Sequence, residues 1–143
     1  MQRKSAVEIV QRFWDEVWRS PQNPAAIDQL VHADFVITSG GHEIRSRHAF
    51  KQWVIGFQAK IEDLHFEVLD IFQNEDGTRV ATRWRVTGRN NGFLGTKADD
   101  APITMVGNAI IAVGEDGLLH HNWVDRNAYE VHGQLTTGKD TIV

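Results

Sequence analysis

Apolar residues in the first third of the chain recur at helical spacing. Val7, Val10, Trp14 and Val17 stand three or four positions apart, and Phe13 and Trp18 widen the stripe. That is the pattern of an amphipathic helix, and it predicts one from about Ser5 to Arg19, stopped near Ser20-Pro21. Asn23-Pro24 puts a capping residue before a proline at the first helical position, which predicts a short second helix over about 24–31. The stretch Asp34 to Thr38 reads as a short apolar strand closed by Ser39-Gly40-Gly41. Ser46 can cap a third helix over about 46–60, with Phe50, Trp53, Val54, Phe57 and Ile61 on its buried face.

Beyond that point the period changes. HFEVLDIFQ, a turn at Asn74-Glu75-Asp76-Gly77 and TRVATRWRVTGR form a hairpin signature. The loop NNGFLGTKADDAP then leads into ITMVGNAIIAV, the turn Gly114 to Gly117, and LLHHNWVDR. Long strands are predicted near 64–74, 78–89, 102–113 and 117–128. Three helices followed by a meander of strands is an α+β pattern. The expected architecture is a single domain over 1–143, with three N-terminal helices on the concave face of a strongly curved, mainly antiparallel sheet. A pocket between the two layers follows from that arrangement.

Composition narrows the function without naming it. The chain has 143 residues, 41% hydrophobic and 24% charged, which suits one soluble core. A net charge of −4 gives no basic patch for nucleic acid or an anionic membrane. No apolar run approaches a membrane span, and MQRKSAVEIV lacks the apolar core of a signal peptide. A cytoplasmic protein is therefore expected. Cysteine is absent, which excludes thiolate chemistry and disulfides. Seven histidines include no i, i+4 pair on one helix, so no metal is expected. Five tryptophans in so short a chain point to an aromatic core or a lined cavity.

The last long strand carries the most chemistry. His121, Trp123 and Asp125 alternate and so share one face of it, and that face is either solvated or the floor of a site. His120 has the opposite parity. On the preceding hairpin, Val80, Thr82, Trp84 and Val86 make the more apolar face, which turns Arg83 and Arg85 outward. The alternative puts Arg83 under the pocket beside Asp125, where its charge would hold that carboxylate ionised.

HADFVI, RVATRWRVTGRNNGFLG, ITMVGNAIIAV with GEDGLL, and NWVDRNAYEVHGQL together resemble the SnoaL-like polyketide cyclase (ester cyclase) family of the NTF2-like superfamily. The resemblance spans about Ser5 to Leu135 and is most specific in the Arg-Trp strand followed by Gly88, Gly92 and Gly95. Arg89-Asn90-Asn91 departs from it, standing where the family would have a Thr-His pair. The resemblance implies an NTF2-like cone and cofactor-independent acid/base chemistry, an intramolecular aldol closure on a small hydrophobic carbonyl compound. A carboxylate doing this work needs a pKa raised toward neutrality, as burial in an apolar pocket provides. On that reading Asp125 is the acid/base, Asp70 a second choice, and His121 orients the carboxylate or bonds the substrate oxygen. Trp14, Trp18, Trp53, Phe57, Trp123, Arg83 and Met105 are the candidate substrate contacts.

Other chemistries of the same fold fit less well. An isomerase site of the ketosteroid type needs a tyrosine donor in the pocket, and the single tyrosine, Tyr129, follows the strand. An epoxide hydrolase site needs a carboxylate two residues after an arginine, and Arg85 occupies that place after Arg83. A non-catalytic small-ligand-binding domain and an epoxide hydrolase or dehydratase remain the alternatives. A homodimer through the outer sheet face is expected, two-fold dimers being the commonest assembly.

Overall fold

The computed structural model describes residues 5–137. Helix α1 (Ala6–Phe13) begins at Ser5, whose side chain accepts the Glu8 N–H, and runs on as a π-helical segment, Trp14–Trp18. A 3-10 turn (Pro24–Ala26) leads into α2 (Ile27–Leu30), strand β1 (Val31–Ser39) and strand β2 (His42–Arg45). Helix α3 (Arg47–Ala59) is capped by the Ser46 hydroxyl, which accepts the Ala49 N–H. Then come β3 (Ile61–Gln73), β4 (Arg79–Asn90), a 3-10 turn (Phe93–Gly95), β5 (Pro102–Val113), β6 (Leu119–Arg126) and α4 (Ala128–Thr137).

The six strands form one curved sheet in the order β2-β1-β6-β5-β4-β3. Every pair is antiparallel except β1 with β6, the parallel closure that brings the chain's first strand beside its last. The α+β class, the three predicted N-terminal helices and the four long strands thus stand close to their expected bounds. Two elements were not expected. β2 makes a hairpin with β1 across the Gly40-Gly41 turn, and α4 follows the last strand. Helices α1 and α3 pack on the inner face of the sheet, where Phe13, Val17, Phe50 and Val54 meet Phe66, Val80, Val86 and Ile111 in one core.

Strand parity fixes what faces that core. Val80, Thr82, Trp84 and Val86 are all buried, and so are Ile103, Met105, Ala109 and Ile111. Gly107 completes this inner row because the Trp84 ring lies across it. A Cβ there would stand 2.3 Å from Trp84 Cζ2, closer than any carbon contact permits. No helix among the described residues is long and apolar enough to cross a membrane.

Candidate functional site

A cavity opens between the helices and the inner face of the sheet. Its walls are mostly aromatic, with Phe13, Trp14 and Trp18 from the first helix, Phe50, Trp53 and Phe57 from α3, and Phe66 and Trp84 from the hairpin, completed by the aliphatic Ile37, Val86 and Val124. The rings brace one another. Trp14 stacks on Phe66 at 5.0 Å, Trp18 meets Phe57 edge-on at 5.3 Å, and Phe66 stacks on Trp84 at 6.0 Å. The Trp14 indole N–H donates to Thr82 Oγ1 at 3.1 Å, which satisfies one buried polar pair. The space open to the centre of a water molecule is ≈ 40 Å³. One water needs roughly 10–15 Å³, so the resting cavity is small and a large ligand must move its rings.

Two polar side chains break this apolar lining, and both come from β6. Asn122 is 6% exposed, and its Oδ1 has no protein hydrogen-bond partner. Arg126 lies toward the open end, its guanidinium carbon 5.4 Å from the Trp53 ring centre and 5.2 Å from that of Phe57. Burial pulls the Arg126 pKa below the ordinary arginine value, and an arginine still stays cationic near neutral pH. Arg126, Trp53 and Phe57 also border a surface groove with Gly56, Lys60, Phe93 and Leu94, so they stand between the cavity and solvent. None of the described residues that line the cavity is acidic.

The face of β6 expected to form the site is the other one. Val124 pairs with Ala109 and both are buried, which turns Asn122, Val124 and Arg126 inward and His121, Trp123 and Asp125 outward. Asp125 is exposed on the outer face, beside Arg83, Val106 and Asn108. The requirement of a desolvated carboxylate is therefore unmet there, and this corrects its placement in the pocket. His121 is half-buried; its Nε2 lies 2.9 Å from Thr38 Oγ1 and its ring stacks on Trp123 at 3.8 Å. Burial lowers its pKa below the ordinary histidine value, helped by Arg45 and Arg79 and opposed by Glu43. Trp123 is exposed on the same outer face, with the Arg79 guanidinium 5.4 Å over its ring.

Arg83 points outward and pairs with Asp70, Nε to Oδ2 at 2.8 Å and Nη2 to Oδ2 at 2.7 Å. It is therefore neither an oxygen donor in the pocket nor a partner of Asp125, and Asp70 is no pocket acid. Met105 is fully buried in the core and does not line the cavity. Trp14, Trp18, Trp53 and Phe57 do line it.

Sequence reasoning missed Asn122 and Arg126, and it missed two further features. Asn90, in the segment that departs from the family pattern, is buried and organises the loop that follows. Its Nδ2 donates to Thr96 Oγ1 and the Lys97 carbonyl, and its Oδ1 accepts from the Gly92 and Phe93 amides. That seats Phe93 edge-on against Phe57 at 5.1 Å. The fold also gathers His32, Asp116 and His120, whose ligating atoms lie within 4.8 Å of one another. Register shifts in β1 and β6 bring the two histidine rings face to face at 4.3 Å. Hydrogen bonds already engage this cluster: His120 Nε2 meets the Asp116 carboxylate at 2.9 Å, and His32 Nδ1 accepts the Asp34 N–H at 3.1 Å. None of the three lines the cavity.

The profile of SnoaL-like polyketide cyclases matches residues 8–135 of this chain. Among solved structures, a protein of Jannaschia sp. CCS1 described as a SnoaL-like polyketide cyclase superposes with a TM-score of 0.83 at 16% identity, over 96% of this chain and 99% of that one. TsrD from Streptomyces laurentii gives 0.78 at 21% identity, over 95% and 98%. An NTF2-like protein of unknown function from Exiguobacterium sp. 255-15 gives 0.67 at 22%, over 83% and 98%. These similarities identify the fold. None of the curated proteins matches the sequence significantly.

Proposed function

Since the chain belongs to the SnoaL-like polyketide cyclase family, we propose that its cavity binds a small, flat, mainly apolar compound through one hydroxyl or enolised carbonyl oxygen. The observation that carries this reading is Asn122, a carboxamide held in an aromatic cavity with an unpartnered buried oxygen. Leaving such a group unpaired costs about 1–3 kcal/mol, and a ligand O–H would recover that cost on binding. The rings around it supply flat apolar surface at the spacing of stacked and edge-on aromatic pairs.

Base-catalysed aldol closure by Asp125 lacks support in this geometry, because Asp125 faces outward and none of the described residues lining the cavity is acidic. The second reading keeps a cyclisation by another route. The Asn122 Nδ2–H would donate to the developing oxygen charge of an enolised substrate, with the Arg126 cation acting from the mouth, while water there takes the C–H proton and returns one to the new alkoxide. Family membership favours this version.

The test is titration with 4-ethylphenol, followed through the five tryptophan indole N–H signals by NMR. Signals of Trp14, Trp18, Trp53 and Trp84 should shift while that of Trp123 stays still. Asn122→Leu should weaken binding several-fold. No shift at all, or movement of Trp123 alone, would refute the proposal.

A homodimer through the outer face belongs to the same proposal. Phe72, Ala81, Ile110 and Trp123 are successive partners across β3, β4, β5 and β6. They make an apolar row in which Phe72, Ile110 and Trp123 are exposed. A second copy of the chain is the occupant this row fits. Light scattering that returned the monomer mass at micromolar concentration would rule it out.

A further inference from the structure

Arg126 has an environment unlike that of the other described arginines. Arg12, Arg19, Arg45, Arg83, Arg85 and Arg89 each reach a carboxylate, and Arg47 and Arg79 each donate to a backbone carbonyl. Among the described residues Arg126 has neither kind of partner; it lies over the Trp53 and Phe57 rings at the boundary of cavity and groove. Those ring faces return only part of what removing the cation from water costs. The groove outside adds a second cation, Lys60, and among the described residues no acid. The neighbouring Asp125 forms no ion pair with it, its side chain being exposed on the opposite face of β6.

Asn122 and Arg126 share the inner face of β6 four residues apart, roughly 13 Å along an extended strand. Val124, which also lines the cavity, lies between them. Asn122 is the deeper of the two, for only Arg126 borders the outer groove as well. The cavity thus has a neutral hydrogen-bonding group inside and an uncompensated cation at its mouth, with aromatic walls between.

We infer that this site takes a hydroxy-aryl carboxylate or its vinylogue, with the hydroxyl or enol on Asn122, the ring among the tryptophans, and the carboxylate on Arg126. This rests on the cavity reading above and adds the charge of the ligand. A carboxylate entering from the groove gains a charge-assisted pair with a planar guanidinium. The same guanidinium then loses its status as a poorly compensated charge, so anionic ligands are selected over neutral ones of equal shape.

The experiment compares 4-hydroxycinnamate with 4-hydroxycinnamamide by isothermal titration calorimetry, on the whole protein and on Arg126→Gln. The acid should bind at least roughly tenfold more tightly than the amide in the unaltered protein, the scale of one charged hydrogen bond. In Arg126→Gln that ratio should fall to about one, and in Arg126→Lys part of it should return. If Arg126→Gln does not fold, the ratio in the unaltered protein and its reduction in Arg126→Lys decide the matter. Equal affinities for acid and amide, or a preference that survives Arg126→Gln, overturn the inference and leave the cavity reading standing. Failure of both compounds and of 4-ethylphenol to bind overturns both.

Discussion

Replacing Asn122 by leucine should make the free protein more stable while making its cavity a poorer binder. Asn122 is 94% buried, its Oδ1 has no protein partner, and its neighbours on the inner face are Val124, Ile37 and the cavity rings. Leucine has a similar shape without the polar group. Removing an unsatisfied buried oxygen should return about 1–3 kcal/mol, and the added methyl groups contribute further apolar burial. For a domain of this size each kcal/mol moves the melting temperature by roughly 2–4 °C. Urea denaturation and calorimetry of the ligand-free protein should therefore show Asn122→Leu melting several degrees higher. Binding of 4-ethylphenol should weaken in the same variant. A leucine variant less stable than the parent by 1 kcal/mol or more would mean that Asn122 holds the fold together, and the site argument built on its unpaired oxygen would fall.

Asp125→Asn should change stability by no more than about 0.5 kcal/mol, as for other exposed positions, and should leave ligand affinity unaltered; a tenfold loss of affinity would restore the outer face as the site. Gly107→Ala should destabilise by about 1–3 kcal/mol, the range for overpacking, because its Cβ would meet Trp84 and the Asp125 carbonyl oxygen at 2.3 and 2.9 Å; a neutral result in urea would show that Trp84 can move aside. His121 has a pKa lowered in the folded chain, mainly by burial, so its contribution is present above the unfolded value near 6.5 and is lost as the pH falls through the folded value. Denaturation midpoints should accordingly drop on going from pH 7.5 to 5.5, and by less in His121→Gln; an equal drop in both proteins would refute the assignment.

The elements were legible because each long one has a consistent period. The α1 stripe and the Val80-Thr82-Trp84-Val86 face appear where hydropathy put them, and so does the α3 stripe except for Ile61, which opens β3 instead of closing the helix. β6 was not legible in this way. Between His120 and Arg126 its inward face carries Asn122, Val124 and Arg126 and its outward face His121, Trp123 and Asp125, so each side offers one apolar residue and two polar ones. The extra residue at the His120 irregularity also breaks the parity with Leu119, the buried residue that would have anchored the register. Val124 was the available signal, since a lone aliphatic residue is a better marker of the inside than a tryptophan, which tolerates solvent at one edge. β2 escaped notice because His42 to Arg45 is polar and sits at the sheet edge. α4 was signalled only by Asn127 ahead of Val131 and Leu135 at helical spacing.

The distribution of tryptophans gives the molecule a built-in optical partition. Four indoles, Trp14, Trp18, Trp53 and Trp84, face one cavity, and the fifth, Trp123, lies on the opposite side of the sheet against His121. Emission from the first four responds to what enters the cavity, whereas emission from the fifth responds to the charge on His121 and to whatever covers the outer face. Substituting Trp123 by phenylalanine would silence the outer channel and leave a protein whose whole indole fluorescence reads the interior. The complementary signal, the difference between parent and variant, reads the outer face alone, so the two surfaces of one sheet can be followed separately without any attached dye.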